Sequence, residues 1–558
     1  MSGLTAKHAV MEQFLAEGVK HIFGNPGSTE LAFMDALQDY PQLQYILCLH
    51  ETTAVAAADG YARASGRPAV VNVHIAPGLA NALSMIYNAR KGGTPLVVTV
   101  GQQDTRYLLT EPALSEDLVR LGRPWTKWAV EVNRGDDVPM VLRRAFKVAA
   151  EPPRGPVLVS LPQNVMDYPV SEPVIPTTYT SWRTRPDPEA VERAAALLAE
   201  ARRPLVLSGD AMALSGAHPE VAALAELLGA PVMAGSRRDW NFPTDHPHYL
   251  GGFNIMGGAR QALGGFDAIL AVGTGNLFSS LWYEGGSPLP EDAVFIHIDL
   301  DSWQIAKNYP VTMGIIADPK QAARDLLIAL EKRMSPGARR DAQARSKEIV
   351  QTKERAREQT ERQLQAEWRN KPISPLRLMS ELKALIKPHT AFVGGGGTSG
   401  SGALAAMIDL TEPNSFFGGG ASLGFGLPGT LGVKLAMPDR PVVGVIAEGD
   451  GMYSNQALWT AAHHHIPVTY VIVNNASYRI LKINMVRYLG EQARKSQFMG
   501  MDFGDPPLDY AKLASVWGIP SARVENPDDL GPALKQALDH DGPSLVDVMV
   551  DGSYGDHF

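Results

Sequence analysis

Short, almost wholly apolar runs recur along this chain, each followed by a longer stretch in which apolar positions return every three or four residues. Runs of the first kind, rich in Val, Ile and Leu, predict strands buried on both faces; stretches of the second kind predict helices. The predicted strands fall at 21–23, 45–49, 69–74, 96–100 and 157–161, then at 204–208, 231–234, 268–272 and 294–300, and finally at 390–393, 442–446, 468–473 and 542–546. Helices are expected at 6–20, 54–63 and 456–464, the last capped by Ser454 or Asn455. This alternation implies βαβ units, hence an α/β protein of three doubly wound parallel-sheet domains. Residues 168–188, rich in Pro, Thr and Ser, read as a linker. Residues 332–370, dense in Arg, Lys, Glu and Gln, read as a solvated helix between domains. The expected division is 1–170, 188–332, a charged helical linker 333–372, and 373–558. Gly155-Pro156-Val157-Leu158-Val159 is echoed by Gly542-Pro543-Ser544-Leu545-Val546, as two related domains would give.

Composition narrows the partners. The 558 residues are 45% hydrophobic and 20% charged, enough to bury a core in each domain. A net charge of −8 without a basic block argues against nucleic acid or an anionic membrane surface. Cys48 is the single cysteine, so an internal disulfide is excluded and a reducing cytoplasm is the expected compartment. No run of eighteen apolar residues is present, so no membrane span is expected.

The most informative stretch is 445–477. Strand 442–446 ends at Glu448-Gly449-Asp450-Gly451, and strand 468–473 ends at Asn474-Asn475. Side by side, these ends bring carboxylate and carboxamide oxygens to one rim of a sheet, where α/β proteins bind ligands. Hard oxygen ligands beside glycines suit Mg2+ carrying a diphosphate. A second glycine run, 394–397, leads into Thr398 and Ser399, whose N–H and hydroxyl groups can cradle phosphate. Gly24-Asn25-Pro26-Gly27-Ser28 closes the first strand, and Glu51 stands at the rim after the second. Read alone, each is an ordinary turn or helix start. The run His463-His464-His465 does not predict a metal site, because consecutive residues face different sides of a helix.

Together these segments resemble the thiamin-diphosphate-dependent 2-oxoacid decarboxylase and acetohydroxyacid synthase superfamily, and most of all the benzoylformate decarboxylases. The order of 24–28, 45–47, Glu51, 58–62 and His74 is similar to their pyrimidine-binding domain, and 445–477 to their Gly-Asp-Gly to Asn-Asn cofactor motif. By that resemblance 1–170 binds the pyrimidine, 188–332 is the middle domain and 373–558 holds diphosphate and Mg2+. Glu51 would hydrogen-bond the aminopyrimidine and drive formation of a C2 ylide. Ser28 and His74 would contact substrate, and Leu423 would wedge between the cofactor's two rings. Thr398, Ser399, Gly449, Asp450, Gly451, Asn475 and Tyr478 complete the expected cofactor contacts. The family's spacing to the second Asn matches Glu448, which lies 27 residues before Asn475, so the expected metal ligands are Glu448, Asn475 and the carbonyl of Ser477. Asp450, 25 residues before Asn475, is the alternative ligand if two residues are deleted.

Activity follows from the same resemblance: non-oxidative decarboxylation of a 2-oxoacid to an aldehyde. The alternatives are carboligation of the acetolactate or acyloin type, and a cofactor-binding paralogue without turnover. Phe417 and Leu481, with Tyr478 and Trp282, would line a mixed substrate pocket, and Asn484 replaces an aromatic residue of the benzoylformate enzymes. Those enzymes also use a middle-domain histidine, which 276–286 lacks. Gly273-Thr274-Gly275 is a glycine turn but not a dinucleotide fingerprint, so FAD is not expected. Because the family builds each site from two subunits, a dimer or dimer of dimers is expected, with a small 2-oxoacid or aldehyde as the ligand.

Overall fold

Branched apolar residues at consecutive positions favour extended backbone and need cover on both faces. The computed structural model describes residues 4–235, 238–252, 259–275, 287–395 and 397–554, and in it these runs form three six-stranded sheets. The first contains β1 (His21–Asn25), β2 (Gln44–Leu47), β3 (Ala69–Val73), β4 (Leu96–Gln102), β5 (Trp128–Glu131) and β6 (Val157–Pro162), in the order β2-β1-β3-β4-β6-β5. The second contains β7 (Pro204–Ser208), β8 (Val232–Ala234), β9 (Tyr249–Gly252), β10 (Ala268–Val272), β11 (Val294–Asp299) and β12 (Met313–Ile316), in the order β12-β11-β10-β7-β8-β9. The third contains β13 (Ala391–Gly395), β14 (Phe416–Gly418), β15 (Val442–Ala447), β16 (Thr469–Asn474), β17 (Ser521–Val524) and β18 (Ser544–Met549), in the order β14-β13-β15-β16-β18-β17. The first and third sheets thus share one strand order, which accounts for the echoed segments: they lie on β6 and β18, the equivalent strands.

The chain divides into two units. One, of residues 1–180, 367–407 and 417–558, carries the first and third sheets; the other, of 181–366 and 408–416, carries the second and has its own core. The helix Pro336–Glu367 accounts for the charged segment, burying only Ala342, Ile349 and Leu364 along its length. Among the described residues no helix is long and apolar enough to cross a membrane.

In the first unit one hydrophobic cluster joins both sheets, from Val71 and Val98 through helix Glu51–Ser65 and helix Gly426–Ala436 to Val393 and Ile446. The two helices meet at backbone distance. A Cβ on Gly432 would lie 1.8 Å from the Ala57 carbonyl oxygen, and one on Gly60 would lie 2.4 Å from that of Gly429. Glu51, the first residue of its helix, is therefore placed by a contact that tolerates no side chain.

One local expectation needs correction. Helix Ala457–His463 has Gln456 at its N-cap with no side-chain cap; the Ser454 hydroxyl instead donates to the Gly424 carbonyl at 2.8 Å, and the Asn455 amide to Met452. Residues 448–451, after the strand, are wound into one helical turn, a detail the sequence did not predict.

Gly432→Ala is expected to destabilise the protein by about 3 kcal/mol or more, because backbone rather than a flexible side chain must move. Thermal unfolding measures it, and an unchanged midpoint would mean that the helices are not packed this closely.

Candidate active site

Ligands of doubly wound sheets bind beyond the carboxyl ends of the strands, where the strand order reverses. In the first and third sheets that point lies between β1 and β3 and between β13 and β15.

At the third sheet, β15 and β16 are parallel neighbours with Ala447 opposite Val473, so Glu448 and the paired asparagines leave the sheet together. Glu448 is 1% exposed; its Oε1 accepts the Ser477 N–H at 3.0 Å, and its own carbonyl accepts the Tyr510 hydroxyl at 2.6 Å. Asn475 Oδ1 accepts the Ser477 N–H at 3.0 Å and the Ser477 hydroxyl at 3.1 Å, and its Nδ2 donates to Ser399 Oγ at 3.2 Å. Glu448, Asn475, Ser477 and Ser399 therefore form one cluster. Thr398 and Ser399 begin helix Thr398–Met407, directly after Gly397, whose φ of +77° a side chain would strain.

Asp450 faces elsewhere. Its Oδ1 accepts the Gly424 N–H at 2.8 Å and its Oδ2 that of Gly426 at 3.1 Å, and Gly395 and Gly426 crowd its carboxylate. It thereby clamps the turn that presents Leu423, which is 39% exposed. Burial pushes the Glu448 carboxyl up to about 7 and the Asp450 carboxyl up to about 6. Gly449 lies under the Tyr478 ring, where a Cβ would come within 2.9 Å, and Gly451 under Tyr510.

At the first sheet, Glu51 is 5% exposed and its two oxygens each accept a carboxamide N–H, from Asn25 and from Asn81, both at 3.0 Å. Gly78 abuts the same carboxylate. His74 caps helix Ile75–Lys91, and its Nδ1 lies 2.7 Å from Glu30 Oε2. Glu30 is 2% exposed and also accepts the N–H groups of Gly27 and Gly101 and the Thr29 hydroxyl. That carboxylate, which also takes two N–H groups and a hydroxyl, orients the His74 ring through Nδ1. Ser28 is exposed at the start of the turn Ser28–Glu30.

No hydrogen bond among the described residues joins Glu51, His74 or Ser28 to Glu448, Asn475 or Thr398. Leu481 is 43% exposed, whereas Phe417 is 2% exposed and packs in the core with the Arg63 guanidinium above its ring. Trp282 and the rest of 276–286 lie outside the described residues. Sequence reading missed Glu30, Asn81 and Tyr510. Asn81 and Tyr510 act from elements distant in the chain, whereas Glu30, an acid beside the Asn-Pro-Gly-Ser turn, carried a local signal. In the histidine run, His464 Nε2 accepts the Leu47 N–H at 2.9 Å and His463 stacks on Trp459, so the two rings are engaged separately.

A doubly wound α/β fold with glycines and hydroxyls at one rim and a buried carboxylate at that of a sister sheet is an arrangement suited to a phosphorylated cofactor. Comparison with known proteins makes the class specific. Residues 4–119 match the N-terminal thiamine pyrophosphate (thiamin diphosphate) binding domain of the thiamine pyrophosphate enzymes, 191–326 their central domain and 396–548 their C-terminal thiamine pyrophosphate binding domain. The chain is 32% identical to benzoylformate decarboxylase of Pseudomonas aeruginosa, over 98% of both chains. It is 31% identical to a probable acetolactate synthase large subunit of Methanocaldococcus jannaschii, over 97% of this chain and 91% of that one. The thiamine diphosphate-dependent 4-hydroxybenzoylformate decarboxylase of Rhodococcus jostii superposes with a TM-score of 0.85 at 28% identity, over 99% of this chain and 100% of the other. The chain belongs to the thiamine pyrophosphate enzymes.

His464 ties helix Ala457–His463 to the strand that delivers Glu51. Burial, with the neighbouring His463, lowers its pKa from 6.5 to about 4. The folded state thus binds this proton less well than the unfolded state, so the stability from His464 is complete above about pH 6.5 and is lost as pH falls toward 4. Allowing for solvent screening of a half-buried ring, the loss is about 1–2 kcal/mol. His464→Gln, which can still accept the Leu47 N–H, is expected to lose that much less between pH 7 and pH 4 in urea unfolding. A wild-type slope in the variant would exclude His464 as the group.

Proposed function

We propose that this enzyme is a thiamin-diphosphate and Mg2+ dependent lyase that decarboxylates a 2-oxoacid to an aldehyde. The observation that carries the reading is the Glu51 carboxylate, buried at the rim of the first sheet with its oxygens oriented by Asn25 and Asn81. Merely holding a diphosphate requires no such group. Thiamin diphosphate, when bound, supplies a nucleophilic carbon and the electron sink that accepts the electrons released with CO2. Glu51 would hold the proton at the aminopyrimidine. Leu423, exposed on the turn that Asp450 clamps, would meet the rings. Ser28, exposed, and His74, partly exposed, would bind and protonate a substrate carboxylate or carbonyl at the first rim. Thr398, Ser399 and the glycines 449 and 451 would hold the diphosphate, with Tyr478 beside them.

The cluster of Glu448, Asn475 and Ser477 supports these three as Mg2+ ligands, the last through its carbonyl: one carboxylate, one carboxamide and one backbone oxygen suit a hard cation that keeps phosphate oxygens and water. A divalent cation would also compensate the buried Glu448 charge. Asp450 is occupied by two backbone N–H groups, which favours Glu448 over Asp450 for the metal. With Glu51 and Glu448 on separate rims, each cofactor would be held between two subunits, as a dimer or dimer of dimers.

Acetolactate-type carboligation is the second reading, favoured by the similar identity to an acetolactate synthase subunit. The test is CO2 release from a panel of 2-oxoacids with thiamin diphosphate and Mg2+. Cofactor-dependent release that falls about 100-fold or more in Glu51→Gln is expected. Release coupled to formation of a new carbon-carbon bond, with no free aldehyde, would select carboligation. No release from any acid despite bound cofactor would refute the lyase.

The two acidic variants separate the metal assignment. Glu448→Gln is expected to remove the Mg2+ dependence of cofactor binding in calorimetric titration. Asp450→Asn is expected to retain it, while destabilising the protein by about 1–3 kcal/mol because its amide faces two N–H donors. The reverse pattern would assign the metal to Asp450.

A further inference from the structure

We infer that Arg479 is an additional anion-binding residue of the diphosphate cradle, a role that rests on the cofactor reading above. Arg479 Nη1 donates to Thr398 Oγ1 at 3.1 Å, and its Nε donates to the Ser553 carbonyl at 2.7 Å. Its guanidinium therefore lies against the first hydroxyl of the segment that follows the glycine run, within reach of anything Thr398 and Ser399 hold.

Three features of its position are unfavourable for a cation unless an anion is present. The residue is half-buried, which removes water from the charge. It is the first residue of the eleven-residue helix Arg479–Leu489, the end at which the helix dipole repels positive charge. No carboxylate of the described residues lies within ion-pair distance of it; Asp551 acts on it only from farther away and is itself engaged by the N–H and hydroxyl of Ser553. The contrast is local, since Lys482, three residues later, is paired with Asp502. A diphosphate at Thr398 and Ser399 would reverse all three penalties. A guanidinium, with two N–H edges already fixed by Thr398 and Ser553, is preorganised to meet phosphate oxygens.

A phosphate oxygen of the cofactor and a carboxylate of the substrate are both anions, and the geometry selects the former through Thr398. The experiment measures thiamin diphosphate and unphosphorylated thiamine binding in Mg2+ by calorimetry, for wild type, Arg479→Gln and Arg479→Lys. Arg479→Gln is expected to weaken thiamin diphosphate about 10- to 100-fold, the scale of one charged hydrogen bond. Thiamine affinity should be unchanged, and Arg479→Lys should recover part of the loss. Equal weakening of both ligands would overturn the inference by showing a general disturbance of the site. So would wild-type diphosphate affinity in Arg479→Gln with a raised KM for the 2-oxoacid, which would assign the cation to the substrate carboxylate. If the wild type itself does not bind thiamin diphosphate, the cofactor reading falls and this one with it; if it binds and Arg479→Gln binds equally, only this inference falls.

Discussion

The rim of the third sheet depends on two carboxylates buried in one short turn and directed apart. Glu448 and Asp450 are separated by a single glycine, and both lie where ionisation is disfavoured by lost hydration. Each is answered by backbone N–H groups. Glu448 takes one from Ser477, which draws the end of β16 to the end of β15. Asp450 takes two, from Gly424 and Gly426, which fixes the turn before helix Gly426–Ala436. Through that helix and its backbone-distance crossing with Glu51–Ser65, the geometry of the third rim is continued into the first sheet.

The shared strand order of the first and third sheets gives the two rims equivalent positions with opposite equipment. At the third rim the groups are suited to phosphate and a cation: hydroxyls, N–H groups, a buried carboxylate and a carboxamide. At the first rim the groups are suited to proton traffic: a carboxylate held by two carboxamides and an imidazole held by another carboxylate. One topology carries both thiamine pyrophosphate binding domains, and much of the difference lies in which side chains follow the strands.

Much of this was legible in the sequence, and the exceptions have one cause. Interior strands such as β3, β4, β10 and β16 are buried on both faces and read as unbroken apolar runs. The strands that escaped prediction, β5, β9, β12, β14 and β17, all lie at sheet edges. Half-exposed edge strands such as Met313–Ile316, with its alternating exposure, carry too weak a signal over four residues. Site residues divide in the same way. Glu51, Glu448 and Asn475 end strands that the pattern located, so their placement together could be anticipated. Asn81 and Tyr510 reach the rims from other elements, and only tertiary structure brings them there; Glu30 and Arg479 adjoin predicted residues, but their contacts with His74 and Thr398 are tertiary.

The register of the acidic turn shows why residue type alone left two readings open. Glu448-Gly449-Asp450-Gly451 offers an acid between glycines at 450, while the spacing to Asn475 points to Glu448, so sequence names Glu448 and keeps Asp450 as the alternative. Wound as one helical turn, residues two apart point to different sides, so the two acids cannot serve one ion. The longer side chain at 448 reaches toward Ser477 and Asn475, and the shorter one at 450 turns back onto Gly424. Because the clamp on the Leu423 turn and the carboxylate beside Asn475 belong to one rigid turn, a shift of either moves the other. On the proposed roles of Leu423 and Glu448, the wedge against a bound coenzyme and the ligand of its cation would then be set by a single piece of backbone.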